Sequence, residues 1–157
     1  MYERRPDIFF ESSVFPLAIR IAIVSLSVIH SDVIYASLDL LRGIVTHDAL
    51  DLSNRTRPPK FPIYEASIRR VISTEGLQLT ANLLNGLVND FPEESVSTVI
   101  TIFRMLANLW PQQLLEWLPQ VLDKLPMASS FTPAKQKLLE DVTKQVYHYF
   151  FTQCDRC

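Results

Sequence analysis

Glycine is scarce in this chain, at only 3 of its 157 residues. Sites that hold phosphate groups in tight backbone turns need glycine-rich loops, and the sequence has none. Cysteine is nearly as rare, because Cys154 and Cys157 are the only two. Two cysteines provide no disulfide framework, so we expect a reducing compartment. These shortages exclude a small disulfide-linked scaffold and the common nucleotide-binding loops.

Catalytic and metal-binding motifs are also missing. The sequence contains neither a G-x-S-x-G nor an H-E-x-x-H motif, and its three histidines lack the spacing of metal ligands. Cys154 and Cys157 form a C-x-x-C, but it follows a predicted helix C-terminus, where the dipole does not favour a thiolate. We interpret them as incidental thiols. We therefore expect no enzyme activity, no cofactor and no metal.

Charge and hydropathy limit the partners further. The net charge of −2 is too small to indicate binding to nucleic acid. One apolar run, Val14–Ile29, raises the question of membrane insertion, but Arg20 interrupts it and it is shorter than the ~20 residues of a membrane span. We interpret it as a core helix, with insertion as the second choice. The composition, 48% hydrophobic, predicts a folded domain with a sizeable core.

Apolar residues recur every three or four positions, which predicts about six helices and no strand. The expected helices span 8–27, with a possible break near Pro16, 31–46, 62–89, two within 91–126, and a last one from 132. Ser31 or Asp32 is the expected N-cap of the second helix, and Gly76 is a candidate bend in the third. The only obvious loop spans 48–61. We expect a single domain over 1–157, with a frayed tail at 152–157.

The segment Phe91–Pro126 is the most informative, since it predicts two amphipathic helices joined at Pro111 with almost no loop. Trp110 and Trp117 lie in its apolar stripes, which favours core positions over interface anchors. Helices about 20 residues apart, in pairs of about 40, are in the range of HEAT or armadillo repeats. A generic helical bundle remains the alternative. An exposed apolar face near Met1 would favour the repeat array, and a fully polar surface would favour the bundle.

Three segments carry a resemblance to a known family: SLDLLRGIVTH at Ser37–His47, the Phe91-Pro92 turn, and EWLPQVLDKLP at Glu116–Pro126. With the helices around them, they resemble the C-terminal part of the transportin-SR branch of the importin-β (karyopherin) nuclear transport receptors, which includes the fungal mRNA transport regulators. The resemblance covers about Phe9 to Tyr149.

The resemblance implies a right-handed α-solenoid of HEAT-like helix pairs, forming a piece of a longer superhelix. It implies a nuclear import receptor that shuttles between cytoplasm and nucleus. Such receptors bind arginine-serine-rich or RNA-binding proteins as cargo and release them to Ran-GTP, which would act through the full-length receptor. Alternatives are a sister-branch receptor with other cargo and a helical scaffold or adaptor. No known cargo or Ran residue of the family falls in this sequence.

Charged residues supply the candidate contacts. Carboxylates hold arginine side chains through charge-assisted hydrogen bonds, so we take Asp90, Glu93, Glu94, Asp48 and Asp51 as candidate cargo-binding residues. Carboxylates in a first helical turn are also what the helix dipole favours, which is the structural explanation for Glu93 and Glu94. In the 48–61 loop, the cations Arg55, Arg57 and Lys60 are candidate contacts to an acidic partner.

Overall fold

A computed structural model of the chain describes residues 6–89 and 91–125, together with nine helical positions between 133 and 152. Within these residues every regular element is helical. The helices are α1 (Pro6–Phe10), α2 (Val14–Ser25), α3 (Ser31–Val45), α4 (Phe61–Val88), α5 (Val96–Leu109) and α6 (Pro111–Leu122), with 3₁₀ turns at Asp48–Leu50 and Glu93–Ser95. The predicted all-α class is confirmed for this part of the chain. The Thr132 cap, Cys154, Cys157 and Asp90 lie outside the described residues.

The predicted first helix is wrong, because two helices replace it and the break is not at Pro16. Ser12 makes the break: its Oγ donates to the Phe9 carbonyl at 3.0 Å and accepts from the Val14 amide at 3.3 Å. A serine side chain that bonds to nearby backbone groups competes with the helical ladder in this way. Pro16 lies in the first turn of α2, where the missing amide costs no intrahelical hydrogen bond.

Other boundaries differ from the predictions by a few residues. The N-cap of α3 is His30, in an extended conformation, and Ser31 is already helical. The 48–61 loop begins with a 3₁₀ turn whose Leu50 is buried, and it ends where α4 begins. Helix α5 begins at Val96 because the 3₁₀ turn precedes it, and α6 ends at Leu122, before Pro126. The join at Pro111 is as predicted.

Contacts between helices follow a simple order. The longest helix, α4, has 28 residues and packs against α2 and against α6. Helix α3 packs against α2 and α5, and α5 also contacts α6. Helix α3 is therefore covered from more than one side. One continuous core joins all six helices, and its largest fully buried side chains include Phe15, Ile19, Leu38, Leu41, Ile68, Leu79 and Phe103.

Two glycines mark places where an aromatic ring meets a helix backbone. Gly76 lies in the middle of α4 and does not interrupt it, contrary to the expected bend. A Cβ at this position would overlap the ring of Trp117 from α6. A Cβ on Gly86 would overlap the Phe91 ring in the same manner. The absence of a side chain, rather than backbone freedom, explains glycine at both positions.

Both tryptophans belong to the core, as predicted: Trp110 is 2% exposed and Trp117 is 7% exposed. The guanidinium of Arg69 lies 5.7 Å from the centre of the Trp110 ring and donates to the Leu109 carbonyl at 3.2 Å. A cation over an indole face is favourable, and the hydrogen bond satisfies a carbonyl at the end of α5. This arrangement fixes the corner between α5 and α6.

The described helices include none with the combination of length and hydrophobicity needed to cross a lipid bilayer.

Candidate functional site

Helix α2 exposes an apolar stripe that faces away from the core. Val14, Leu17, Ile21 and Val24 are each about half exposed, from 48% to 59%. Their spacing of three, four and three residues places them on one face of the helix. The core-facing side chains of α2, including Phe15, Ile19 and Ile23, lie on the opposite face. We call the four exposed residues the α2 stripe; the helix is apolar on both sides.

Charge is almost absent from this face. Arg20 is the only charged residue between positions 14 and 28, and its guanidinium bonds to a Glu75 carboxylate oxygen, with a shortest distance of 2.7 Å. This contact agrees with the expectation that Arg20 reaches the surface or pairs with a carboxylate. Soluble helices normally place charged residues opposite the core. A contiguous apolar face without them is typical of a surface that another element covers.

A second feature is a groove of about 420 Å³ where α3 and α5 end. Leu50 and Leu52 line it from the segment after α3, while Met105 and Leu109 line it from the last turn of α5. Leu50 is buried, Met105 and Leu109 are half-buried, and Leu52 is 61% exposed. These four side chains give the groove an apolar floor with one accessible wall.

Asp48 and Asp51, two of the candidate cargo-binding residues, both line this groove and are exposed. Asp51 accepts hydrogen bonds from the Ser53 hydroxyl at 2.6 Å and the Ser53 amide at 2.9 Å. These bonds, with a smaller contribution from the charge of Arg57, hold the Asp51 pKa below its ordinary value. The Asp51 carboxylate is therefore ionised at neutral pH.

His47 also lines the groove, and it fixes the turn that carries the aspartates. Its Nδ1 accepts the Ala49 amide at 3.1 Å, so the ring's proton is on Nε2. The ring packs edge-to-face against Phe10, Phe61 and Tyr64, with centroid distances of 5.0–6.3 Å. Burial lowers the His47 pKa, against a smaller opposing effect of Asp48. The imidazole is thus held neutral and adds no positive charge to the groove.

The remaining acidic candidates lie elsewhere. Glu93 and Glu94 are exposed in the 3₁₀ turn before α5, and Glu94 accepts a hydrogen bond from the Tyr35 hydroxyl at 3.2 Å. Partial burial raises the pKa of Tyr35 above its ordinary value, and the hydrogen bond to Glu94 and the charge of that carboxylate raise it further. The 14 residues of α5 span about 20 Å, so these carboxylates and the groove are at opposite ends of one helix. The four acidic candidates that the structure describes therefore do not form one site.

The three basic candidates are also dispersed. Arg57 donates to a Glu65 carboxylate oxygen at 2.9 Å and to the Ala49 carbonyl, which ties the loop to α4. Lys60 pairs with Glu11 at 3.3 Å. Arg55 is exposed and bonds to none of the residues that the structure describes. Of the three basic candidates, Arg55 is therefore the one whose charged group is available to bind a partner.

Sequence reasoning missed the α2 stripe and the apolar floor of the groove. The signal for the stripe was present, because apolar residues follow one another around the whole circumference of α2. The floor had no local signal, since its residues come from segments about 55 positions apart. As for metal ligands, the described residues contain no group of three or more histidine, cysteine or acidic side chains placed to hold an ion.

Comparison with known proteins gives no assignment: no protein-family model matches the chain, and no curated protein matches it.

Proposed function

We propose that this chain is a protein-binding part of a nuclear import receptor of the importin-β family, forming C-terminal HEAT-type repeats of a right-handed α-solenoid. The receptor would bind protein cargo, such as arginine-serine-rich or RNA-binding proteins, and release it to Ran-GTP while shuttling between cytoplasm and nucleus. The resemblance in Ser37–His47 and Glu116–Pro126 supplies the family. The function would consist of reversible binding at a surface, without catalysis.

The observation that carries the proposal is the α2 stripe. In a solenoid each helix packs against its partner and also against the equivalent helix of the neighbouring repeat. Helix α4 packs against α2 and α6, each two helices away along the chain, and α3 packs in the same way against α5. Helix α2 has α4 on its buried side and no described helix on its stripe. A preceding repeat packed against the α2 stripe would bury these side chains. A closed bundle, in contrast, gives no physical reason for an exposed apolar stripe.

Two substitutions test whether α2 continues into a longer array. In the 157-residue chain, Leu17→Glu with Ile21→Glu should change stability by less than about 1 kcal/mol, because both side chains are already exposed. In the full-length protein the same pair would place two carboxylates in an apolar contact, and we expect a loss of several kcal/mol. The matched control is Leu115→Glu on α6. Equal, small effects in both proteins would contradict the solenoid.

Release by Ran-GTP tests the receptor function. The full-length protein is mixed with a fluorescent arginine-serine peptide, and binding is followed by anisotropy with Ran-GDP or with GTP-locked Ran. We expect binding with Ran-GDP and dissociation with Ran-GTP. Peptide binding that does not respond to Ran-GTP would exclude an import receptor and favour an adaptor.

The adaptor is the second candidate, and the α2 stripe also supports it. Spacings of three and four residues match the seam that a partner's amphipathic helix would contact. In that case, substitutions in the stripe would abolish partner binding without destabilising the full-length protein.

A further inference from the structure

The groove where α3 and α5 end combines an apolar floor, the carboxylates of Asp48 and Asp51 and the ends of two helices, whereas the four residues of the α2 stripe carry no charge. We propose that this groove binds an extended peptide segment in which an arginine or lysine lies next to an apolar residue. The inference rests on the proposed function only in assuming a protein ligand.

Charge selects the sign of the ligand. Asp48 and Asp51 are the charged residues that line the groove, and among the described residues no lysine or arginine lines it. His47 is held neutral by burial among aromatic rings. Arg57, whose charge makes a smaller contribution to the lowered Asp51 pKa, and Arg69, which donates to the Leu109 carbonyl, both pair with Glu65. Among its lining residues the groove therefore has two carboxylates and no lysine or arginine, which favours a cationic ligand.

Backbone dipoles add to this potential. Helix α3 ends at Val45 and α5 ends at Leu109, next to or within the groove lining. The carbonyl end of a helix carries a partial negative charge, so the end of α3 favours a cation at this place. At the end of α5 the Leu109 carbonyl already accepts a hydrogen bond from Arg69, so α3 supplies this contribution. Side-chain and backbone electrostatics thus point to the same ligand charge.

The apolar floor determines what must accompany the charge. Met105 and Leu109 of α5 present partly exposed hydrocarbon surface, Leu52 is 61% exposed, and Leu50, also in the lining, is almost completely buried. A free metal ion or a simple amine would leave this surface uncovered. A peptide can place its cationic head at the aspartates while a neighbouring leucine or methionine packs on the floor. Flexible methionine suits such a contact, because it adapts to different side chains.

The test uses the 157-residue chain and three fluorescein-labelled heptapeptides. The first, Ser-Gly-Leu-Arg-Leu-Gly-Ser, carries both features. In the second, glutamine replaces the arginine, and in the third, serines replace the leucines. We expect the first peptide to bind at least about tenfold more tightly than either of the others, since each loses one of the two contacts. Equal affinity for all three would overturn the proposal.

Protein variants locate the binding. Asp48→Asn with Asp51→Asn should weaken the first peptide about tenfold, and Leu52→Ser, at an exposed position, about threefold. Glu93→Gln with Glu94→Gln removes the same charge from the other end of α5 and should have no effect. If both double variants weaken binding equally, the attraction is only long-range and the site is not the groove. Peptide binding without a response to Ran-GTP would refute the receptor but leave this site intact.

Discussion

Gly76 and Trp117 form a contact whose energetics can be worked out in advance. A glycine in the middle of a 28-residue helix is unfavourable by about 1 kcal/mol relative to alanine. The structure gives the reason for its presence, because the ring of Trp117 occupies the space of a Cβ. Gly76→Ala should therefore gain about 1 kcal/mol from the helix and lose more from overpacking.

The size of the loss follows from the geometry. Three ring atoms of Trp117 would lie within contact distance of the new methyl group, and the ring is only 7% exposed. Overpacking in a dense core costs about 1–3 kcal/mol, and so close an overlap belongs at the upper end. We expect Gly76→Ala to destabilise the chain by about 2 kcal/mol net.

Removing the ring should reverse the sign. Trp117→Ala alone should cost about 3–5 kcal/mol, since a large core side chain is lost. In that background, Gly76→Ala should stabilise the chain by about 1 kcal/mol, which gives a coupling energy of about 3 kcal/mol. Urea denaturation followed by far-UV circular dichroism measures all four proteins. If Gly76→Ala has the same sign in both backgrounds, then the glycine is not there for the ring.

Three further changes test other parts of the structure. Because burial lowers the His47 pKa, the folded chain takes up fewer protons than the unfolded chain as the pH falls below about 6.5. The contribution of His47 to stability should therefore be full above about pH 6.5 and decrease as the pH is lowered further. His47→Asn should flatten this dependence of the melting temperature on pH. Glu65→Gln weakens the ion pair that holds Arg57 of the loop to α4, so trypsin should cleave the loop after Arg55 severalfold faster. The Lys60–Glu11 ion pair is unchanged in this variant and serves as the reference. Asn82→Ala removes the donor to the Ile23 carbonyl, 2.7 Å away, and should cost about 1 kcal/mol in urea denaturation. Gln78→Ala removes only the exposed hydrogen bond to the Asn82 amide oxygen and should cost less.

Periodicity in the sequence was sufficient to predict most of the helices, because the core-facing positions are strongly apolar. Ile68, Ile72 and Leu83, which recur at helical spacing along α4, are completely buried. The break before α2 could not be predicted from periodicity, since it depends on which backbone groups the Ser12 hydroxyl bonds. Gly76 was misinterpreted for a related reason, because its partner ring is some 40 positions away.

The candidate site was less predictable than the fold. Composition identified carboxylates that could meet a basic ligand, but distances between them cannot be read from a sequence. The fold brings Asp48 and Asp51 to one groove and places Glu93 and Glu94 at the other end of α5. The expected loop cations were divided as well, because Arg57 pairs with Glu65 of α4 and Lys60 pairs with Glu11 in the turn between α1 and α2. Such pairings depend on tertiary contacts that no local pattern encodes.

The α2 stripe and the groove can be occupied at the same time. The stripe lies on the side of α2 opposite its core-facing residues, whereas the groove is built from the segment after α3 and from the last turn of α5, with no residue of α2 in its lining. A helix packed on Leu17 and Ile21 would therefore extend the array without entering the groove. The proposed packing of a further repeat and the proposed binding of a peptide thus use separate surfaces, and neither need displace the other.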